Sequence, residues 1–153
     1  MSATSRSSQT LVIDANVGIW TVLPVLQAKD VDAPSRVLTW LKQGTSLVSP
    51  DWWVVECVSG IRMSLYAKRI SAEQAYTAVE DLYLLEVETQ PLDINMCKAA
   101  LEWATRLQQR RAYDAFYLAL AERLQTEFWT ADKRLANAAQ QLGANWVRWI
   151  GES

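Results

Sequence analysis

Leu11-Val12-Ile13-Asp14-Ala15-Asn16 sets a short apolar run against an aspartate, and the reading of that run decides the fold. Three aliphatic residues followed by Asp-Ala-Asn read as a buried strand that hands over to a loop or a helix start. The same unit recurs along the chain. Ser46-Leu47-Val48-Ser49 is closed by Pro50, Glu127-Phe128-Trp129-Thr130 runs on to Asp132, and Trp146 to Ile150 ends the series, with Glu86 to Thr89 a shorter and weaker member. Helical stretches lie between them. Ser35 to Gln43 carries apolar residues at Val37, Leu38, Trp40 and Leu41 and stops at Gly44; Asp51, as an N-cap, opens a helix to about Lys68. Ser71 and Gln74 have the capping-box spacing for a helix to about Leu84, and Asp93 to Gln109, Tyr113 to Gln125 and Asp132 to Leu142 complete the set. Short strands alternating with helices, without a hairpin signal between any two strands, predict an α/β fold with a short central parallel sheet flanked by helices on both faces. In such sheets the working residues lie at the carboxyl ends of the strands.

At 153 residues the chain has the length of one domain, and half of it is hydrophobic while a fifth is charged, the composition of a packed globular protein. The most restrictive feature of that composition is the absence of histidine. It removes Ser-His-Asp and Cys-His catalysis, His-ligated zinc and imidazole acid–base chemistry together. Cys57 and Cys97 stand too far apart for a C-x-x-C centre, and two cysteines make no disulfide framework, which fits a reduced, cytoplasmic setting. The first ten residues are polar and lack the apolar core of a secretory signal, and the longest uncharged stretch, Ala15 to Ala28, is broken by Asn16, Gly18 and Pro24, so no membrane span is expected. A formal charge of −2 exerts no global pull toward nucleic acid.

Four acids stand where acids are unusual. Asp14 follows one strand and Asp132 follows another, which in a parallel sheet puts both at one edge. Glu56 sits within Trp52-Trp53-Val54-Val55-Glu56-Cys57-Val58, off the polar face of its helix and so expected to be buried, which is rare for a Glu without a partner, and Asp114 opens Tyr113-Asp114-Ala115-Phe116-Tyr117-Leu118-Ala119-Leu120-Ala121, where no other charge occurs before Glu122. Carboxylates sharing a small, desolvated volume would repel one another and take up protons. A divalent cation resolves that conflict, and oxygen-only ligation suits Mg²⁺ or Mn²⁺, which can bind phosphate oxygens and activate water without imidazole. Each aspartate also has a structural reading: Asp14 as a turn former, Asp132 as a helix cap, Asp114 as a favourable charge at a helix N-terminus. With these four acids assigned to one site, the rest of the chain carries 15 basic against 13 acidic side chains.

Val12-Ile13-Asp14-Ala15-Asn16-Val17, the acid in Val55-Glu56-Cys57, the run from Tyr113 to Ala121, and Trp129-Thr130-Ala131-Asp132-Lys133-Arg134-Leu135 together resemble the successive signatures of the PIN-domain family, especially its VapC-like toxin branch. The resemblance runs from about Leu11 to Ile150, with spacings of 42, 58 and 18 residues between successive acids. It implies a three-layer α/β/α PIN-like fold, a flexible tail over residues 1–9 and a single PIN domain over 10–151. The activity it implies is a metal-dependent endoribonuclease in which Asp14, Glu56, Asp114 and Asp132 hold Mg²⁺ or Mn²⁺, supported by Asn16 and Thr130. It further implies a homodimer and a cognate VapB-like antitoxin, with an RNA-processing nuclease or a non-catalytic PIN scaffold as alternatives.

Among basic residues, Arg110-Arg111 and Lys133-Arg134 flank Asp114 and Asp132 in the chain and are candidate contacts to RNA phosphates, whereas Lys68-Arg69 reads as a solvated helix end. Trp52 and Trp53 stand near Glu56, where helical spacing favours core or interface over base stacking. Cys57 and Cys97 read as small buried hydrophobes. Ser59, Ser64 and Thr130 have no base partner, and neither a P-loop nor a dinucleotide fingerprint occurs.

Overall fold

Parallel pairing forces each strand to be followed by a crossover that returns the chain to the same edge, and helices supply these crossovers. The computed structural model describes residues 9–153, so the tail expected over residues 1–9 lies, except for Gln9, outside the described residues. β1 (Thr10–Ile13), β2 (Ser46–Pro50), β3 (Glu88–Gln90), β4 (Phe128–Thr130) and β5 (Val147–Trp149) form one sheet in the order β3-β2-β1-β4-β5. Every neighbouring pair is parallel, with Leu11 opposite Leu47, Val48 opposite Glu88, Ile13 opposite Trp129, and Phe128 opposite Val147. α1 (Ala15–Val22), α2 (Ala33–Lys42), α3 (Trp53–Tyr66), α4 (Ala72–Leu84), α5 (Ile94–Arg106), α6 (Tyr113–Leu124) and α7 (Lys133–Gln141) flank it, giving the three-layer α/β/α arrangement. Leu11, Val12, Ile13, Leu47, Val48, Phe128 and Val147 are all buried, as strands covered on both faces require.

Local chemistry sets the element ends, and it shifts several of them from the sequence expectation. The sequence marks α1 only as a possible helix start, because Ala15, Val17, Gly18 and Ile19 are all buried and the helix shows no polar stripe. α2 begins at Ala33 rather than Ser35: the Asp32 carboxylate accepts from the Ser35 N–H, and Pro34 is tolerated in the first turn. Asp51 does not cap α3. Its N–H donates to the Gln90 carbonyl (3.0 Å), so it belongs to the link between β2 and β3, and Trp52 takes the cap position without a side-chain bond. β3 starts at Glu88 because Glu86 adopts φ 53° in closing α4.

The order of strands locates the working edge. From β1 the chain moves outward to β2 and β3, then crosses back to β4 on the other side of β1. The carboxyl ends of β1 and β4 therefore flank the topological switch point, where a crevice opens in sheets of this kind. Asp14 follows β1 and Thr130 ends β4, so both fall there.

α1 and α3 pack closely under this edge. A Cβ on Gly18 would lie 2.5 Å from the fully buried Trp53 ring, while one on Gly60 would meet only the terminal methyl of Ile19, also at 2.5 Å. Gly18→Ala is therefore expected to destabilise the protein by ~1–3 kcal/mol in urea unfolding, the usual cost of overpacking. Gly60→Ala is expected to be neutral or stabilising, because Ile19 can rotate away and alanine favours the helix. Equal losses in the two variants would contradict this packing.

Candidate active site

Asp14 is a carboxylate taken almost wholly out of water, with 7% of its surface exposed. Its Oδ1 accepts from the Val17 N–H (2.9 Å), which caps α1; its Oδ2 accepts from the Thr130 hydroxyl (2.5 Å) and the Ala131 N–H (3.2 Å). Its carbonyl accepts from the Trp53 indole N–H (3.1 Å), and the preceding Ile13 carbonyl accepts from the buried Ser49 hydroxyl (2.6 Å). Thr130 works in both directions, since its Oγ1 also accepts from the Asp132 N–H (3.0 Å). The ends of β1 and β4 are thereby joined through one hydroxyl.

Asp132 performs the capping role that its sequence position suggested: Oδ1 accepts from the N–H groups of Arg134 (3.0 Å) and Leu135 (3.1 Å) at the start of α7. Asp114 stands in the first turn of α6, which has no side-chain cap, so its charge also favours that helix N-terminus. Glu56 corrects the sequence expectation. It is half-buried rather than buried, because Val55 and Val58 beside it on α3 face solvent and leave that side of the helix uncovered.

Electrostatics connect these acids. Burial pushes the Asp14 carboxyl up to about 7, with the charge of Asp114 adding to the rise and the Thr130, Val17 and Ala131 donors opposing it. Glu56 is raised by desolvation and then by Asp114, and Asp114 by desolvation and then by Asp132. Asp114 is thus the centre of the group. Among the described residues the ion pairs are Arg123–Asp93, Arg148–Glu127 and Arg148–Glu152, and none of them neutralises any of the four acids. No three carboxylates among the described residues already converge as a ligand set. The donor chemistry nonetheless fits a hard divalent cation: oxygen atoms only, and carboxylates that no cation of the described residues pairs.

Of the remaining candidates, exposed Asn16 lines a cleft of about 470 Å³ together with Glu56, and Arg110 and Arg111 line another, of about 430 Å³, with Asp114. Lys133 instead lies over the Trp149 ring (4.7 Å). Trp52 packs on Tyr113, Phe116 and Tyr117 between α3 and α6, and the Cys57 thiol is buried and pushed up by desolvation. Two residues escaped the sequence reading. Tyr117 is fully buried between Trp52 and Phe128, with its hydroxyl directed at the Glu56 carboxylate though outside strict hydrogen-bond geometry among the described residues, and the charges of Glu56 and Asp14 bear on it; its place three residues after Asp114 is the available signal. Arg69, assigned to a solvated helix end, lines the same cleft as Glu56 and Asn16.

Comparison with known proteins then decides the family: the model described as PIN domain matches residues 11–141. The chain belongs to the PIN-domain family. PIN domains are generally nucleases. Among solved structures, PAE2754 from Pyrobaculum aerophilum superposes with a TM-score of 0.63 at 12% identity, covering 94% of this chain and 92% of that one. VapBC2 from Rickettsia felis, solved bound to a DNA fragment from its promoter, gives a TM-score of 0.57 at 13% identity, covering 92% and 97%. At those identities the likeness is one of fold. No curated protein matches the sequence.

The raised acids of this PIN domain make its stability depend on pH. Above the ordinary carboxylate range the unfolded chain has already lost protons that folded Asp14 retains up to about 7, so the folded state binds more protons and stability falls as pH rises from ~4 to ~7. Glu56 and Asp114 act in the same direction. In chelator, the midpoint of thermal unfolding is expected to be lower at pH 8 than at pH 5.5, and millimolar Mg²⁺ or Mn²⁺ is expected to close the gap. A metal-free protein more stable at pH 8 would contradict the shifts.

Proposed function

We propose that this PIN domain is a Mg²⁺- or Mn²⁺-dependent endoribonuclease that cleaves RNA phosphodiesters, and that it is the toxin of a type II toxin–antitoxin pair. The observation that carries the nuclease reading is the group Asp14, Glu56 and Asp114, in which the charge of Asp114 raises both of the others and none is paired with a cation of the described residues.

Asp14, Glu56, Asp114 and Asp132 would hold the ion. Each carboxylate oxygen has two acceptor positions, so Asp14 keeps some open after its three hydrogen bonds, and the second oxygen of Asp132 accepts none among the described residues. A bound cation would supply charge to the phosphate oxygens and lower the pKa of an attacking water. The chain's own groups do the rest. Thr130 aims the Asp14 carboxylate and ties Asp132 to it, and Arg110 and Arg111 offer guanidinium donors to the strand beside Asp114. The Asn16 amide stands beside Glu56, where it can hydrogen-bond a substrate oxygen or a bound water.

The toxin role is supported by the VapC-like order of the acidic motifs and by the fold likeness to VapBC2. Tyr76 and Tyr83 on one face of α4, and Ile94 and Leu101 on one face of α5, are exposed and give a second copy or a VapB-like antitoxin apolar surface to cover.

Purified protein incubated with total RNA is expected to cleave it with Mg²⁺ or Mn²⁺ and to stop on chelation. Asp14→Asn and Asp114→Asn should each lower the rate beyond the ~10–100-fold that changes around a metal site cost. Cleavage that survives both substitutions would overturn the carboxylate mechanism, and cleavage without growth arrest on expression would place the enzyme in RNA processing.

A further inference from the structure

We propose that the cleft beside Glu56 carries the RNA strand on one flank of the cleavage site, with Arg69 receiving a backbone phosphate; this rests on the nuclease reading above. Asn16, Glu56, Ser59, Met63, Ser64 and Arg69 all line this cleft. Glu56, Ser59 and Met63 recur at helical spacing on one face of α3, so the cleft follows the helix axis away from the acids. From Glu56 to Ser64 the helix rises about 12 Å at ~1.5 Å per residue, room for more than a single phosphate.

Backbone geometry holds Arg69 at the far end. After α3 the Lys68 residue takes a left-handed conformation, φ 60°, and two hydrogen bonds close the helix: Lys68 N–H to the Leu65 carbonyl (3.0 Å) and Arg69 N–H to the Ser64 carbonyl (2.9 Å). This paired closure folds the chain back over the last helical turn, and buried Ile70 anchors it from the other side. Arg69 is thereby set against the cleft, while Lys68, adjacent and of equal charge, does not line it.

Charge completes the case. Arg69 has no carboxylate within salt-bridge distance among the described residues, so its guanidinium is available to an anion. Ser59 and Ser64 add hydroxyl donors along the way. Arg110 and Arg111 line the separate cleft at Asp114, so cations stand in both the cleft of Glu56 and the cleft of Asp114, where each can meet a backbone phosphate of one strand.

The test is fluorescence anisotropy of a labelled single-stranded RNA across a salt series, using the full chain with Asp114→Asn to keep the strand uncut. Adding Arg69→Gln is expected to weaken binding several-fold and to reduce the slope of log affinity against log salt by ~0.7, the single-strand value for one phosphate. Adding Lys68→Gln, the same charge change one residue earlier, should leave both near the parent. In the otherwise native enzyme, Arg69→Gln should raise KM with little change in kcat. Equal effects of the two substitutions, or an unchanged salt slope with Arg69→Gln, would overturn the assignment. Failure of the parent to bind RNA at all would overturn the nuclease reading and this assignment with it.

Discussion

The hydrogen bond from the Thr130 hydroxyl to the Asp14 carboxylate, 2.5 Å long and buried, is the point on which the rest of the structure turns. Through it the end of β4 is fastened to the end of β1, and the same carboxylate caps α1 through Val17 while Thr130 accepts from the backbone of Asp132. Hydrogen bonds to a charged group contribute ~1.5–3 kcal/mol each, yet desolvating a carboxylate costs several kcal/mol. Here desolvation wins, since the carboxyl is raised to about 7 despite three donors. The protein therefore builds an acid that its own donors do not fully stabilise. On the proposed reading, a bound cation would supply the missing stabilisation.

That imbalance is a product of topology. The β3-β2-β1-β4-β5 order opens a crevice between the carboxyl ends of β1 and β4, and α3 and α6 bring Glu56 and Asp114 to the same edge from their first turns. Asp114 raises both Asp14 and Glu56, so repulsion is distributed over the group rather than confined to one pair. Rigid packing beneath holds the arrangement: the Trp53 indole bonds the Asp14 carbonyl and its ring fills the space that a side chain on Gly18 would need.

What could be read from the chain alone follows from which signals are local. Asp14 and Asp132 were legible because each abuts a short apolar run, and Asp114 because it is the lone charge in nine residues. Thr130, the last residue of β4, was marked only by the family resemblance. α1 was hidden because it is apolar on every side that the core covers, and Trp52 displaced Asp51 as the cap through a tertiary bond from Asp51 to Gln90. Glu56 was read as buried from its apolar neighbours, two of which turned out to face solvent. The Tyr117 hydroxyl looks in sequence like any core tyrosine, and Arg69 depends on a left-handed Lys68 that no glycine announces.

The central claim is that the acid group exists to hold a divalent cation, and calorimetric titration of Mn²⁺ in buffers of different ionisation enthalpy tests it most directly. Metal must displace the protons that the raised carboxyls retain. At pH 6, below the value to which Asp14 is raised, saturable binding with net proton release is expected, and the release should vanish by pH 9. No saturable binding, or binding with the same proton count at both pH values, would contradict it.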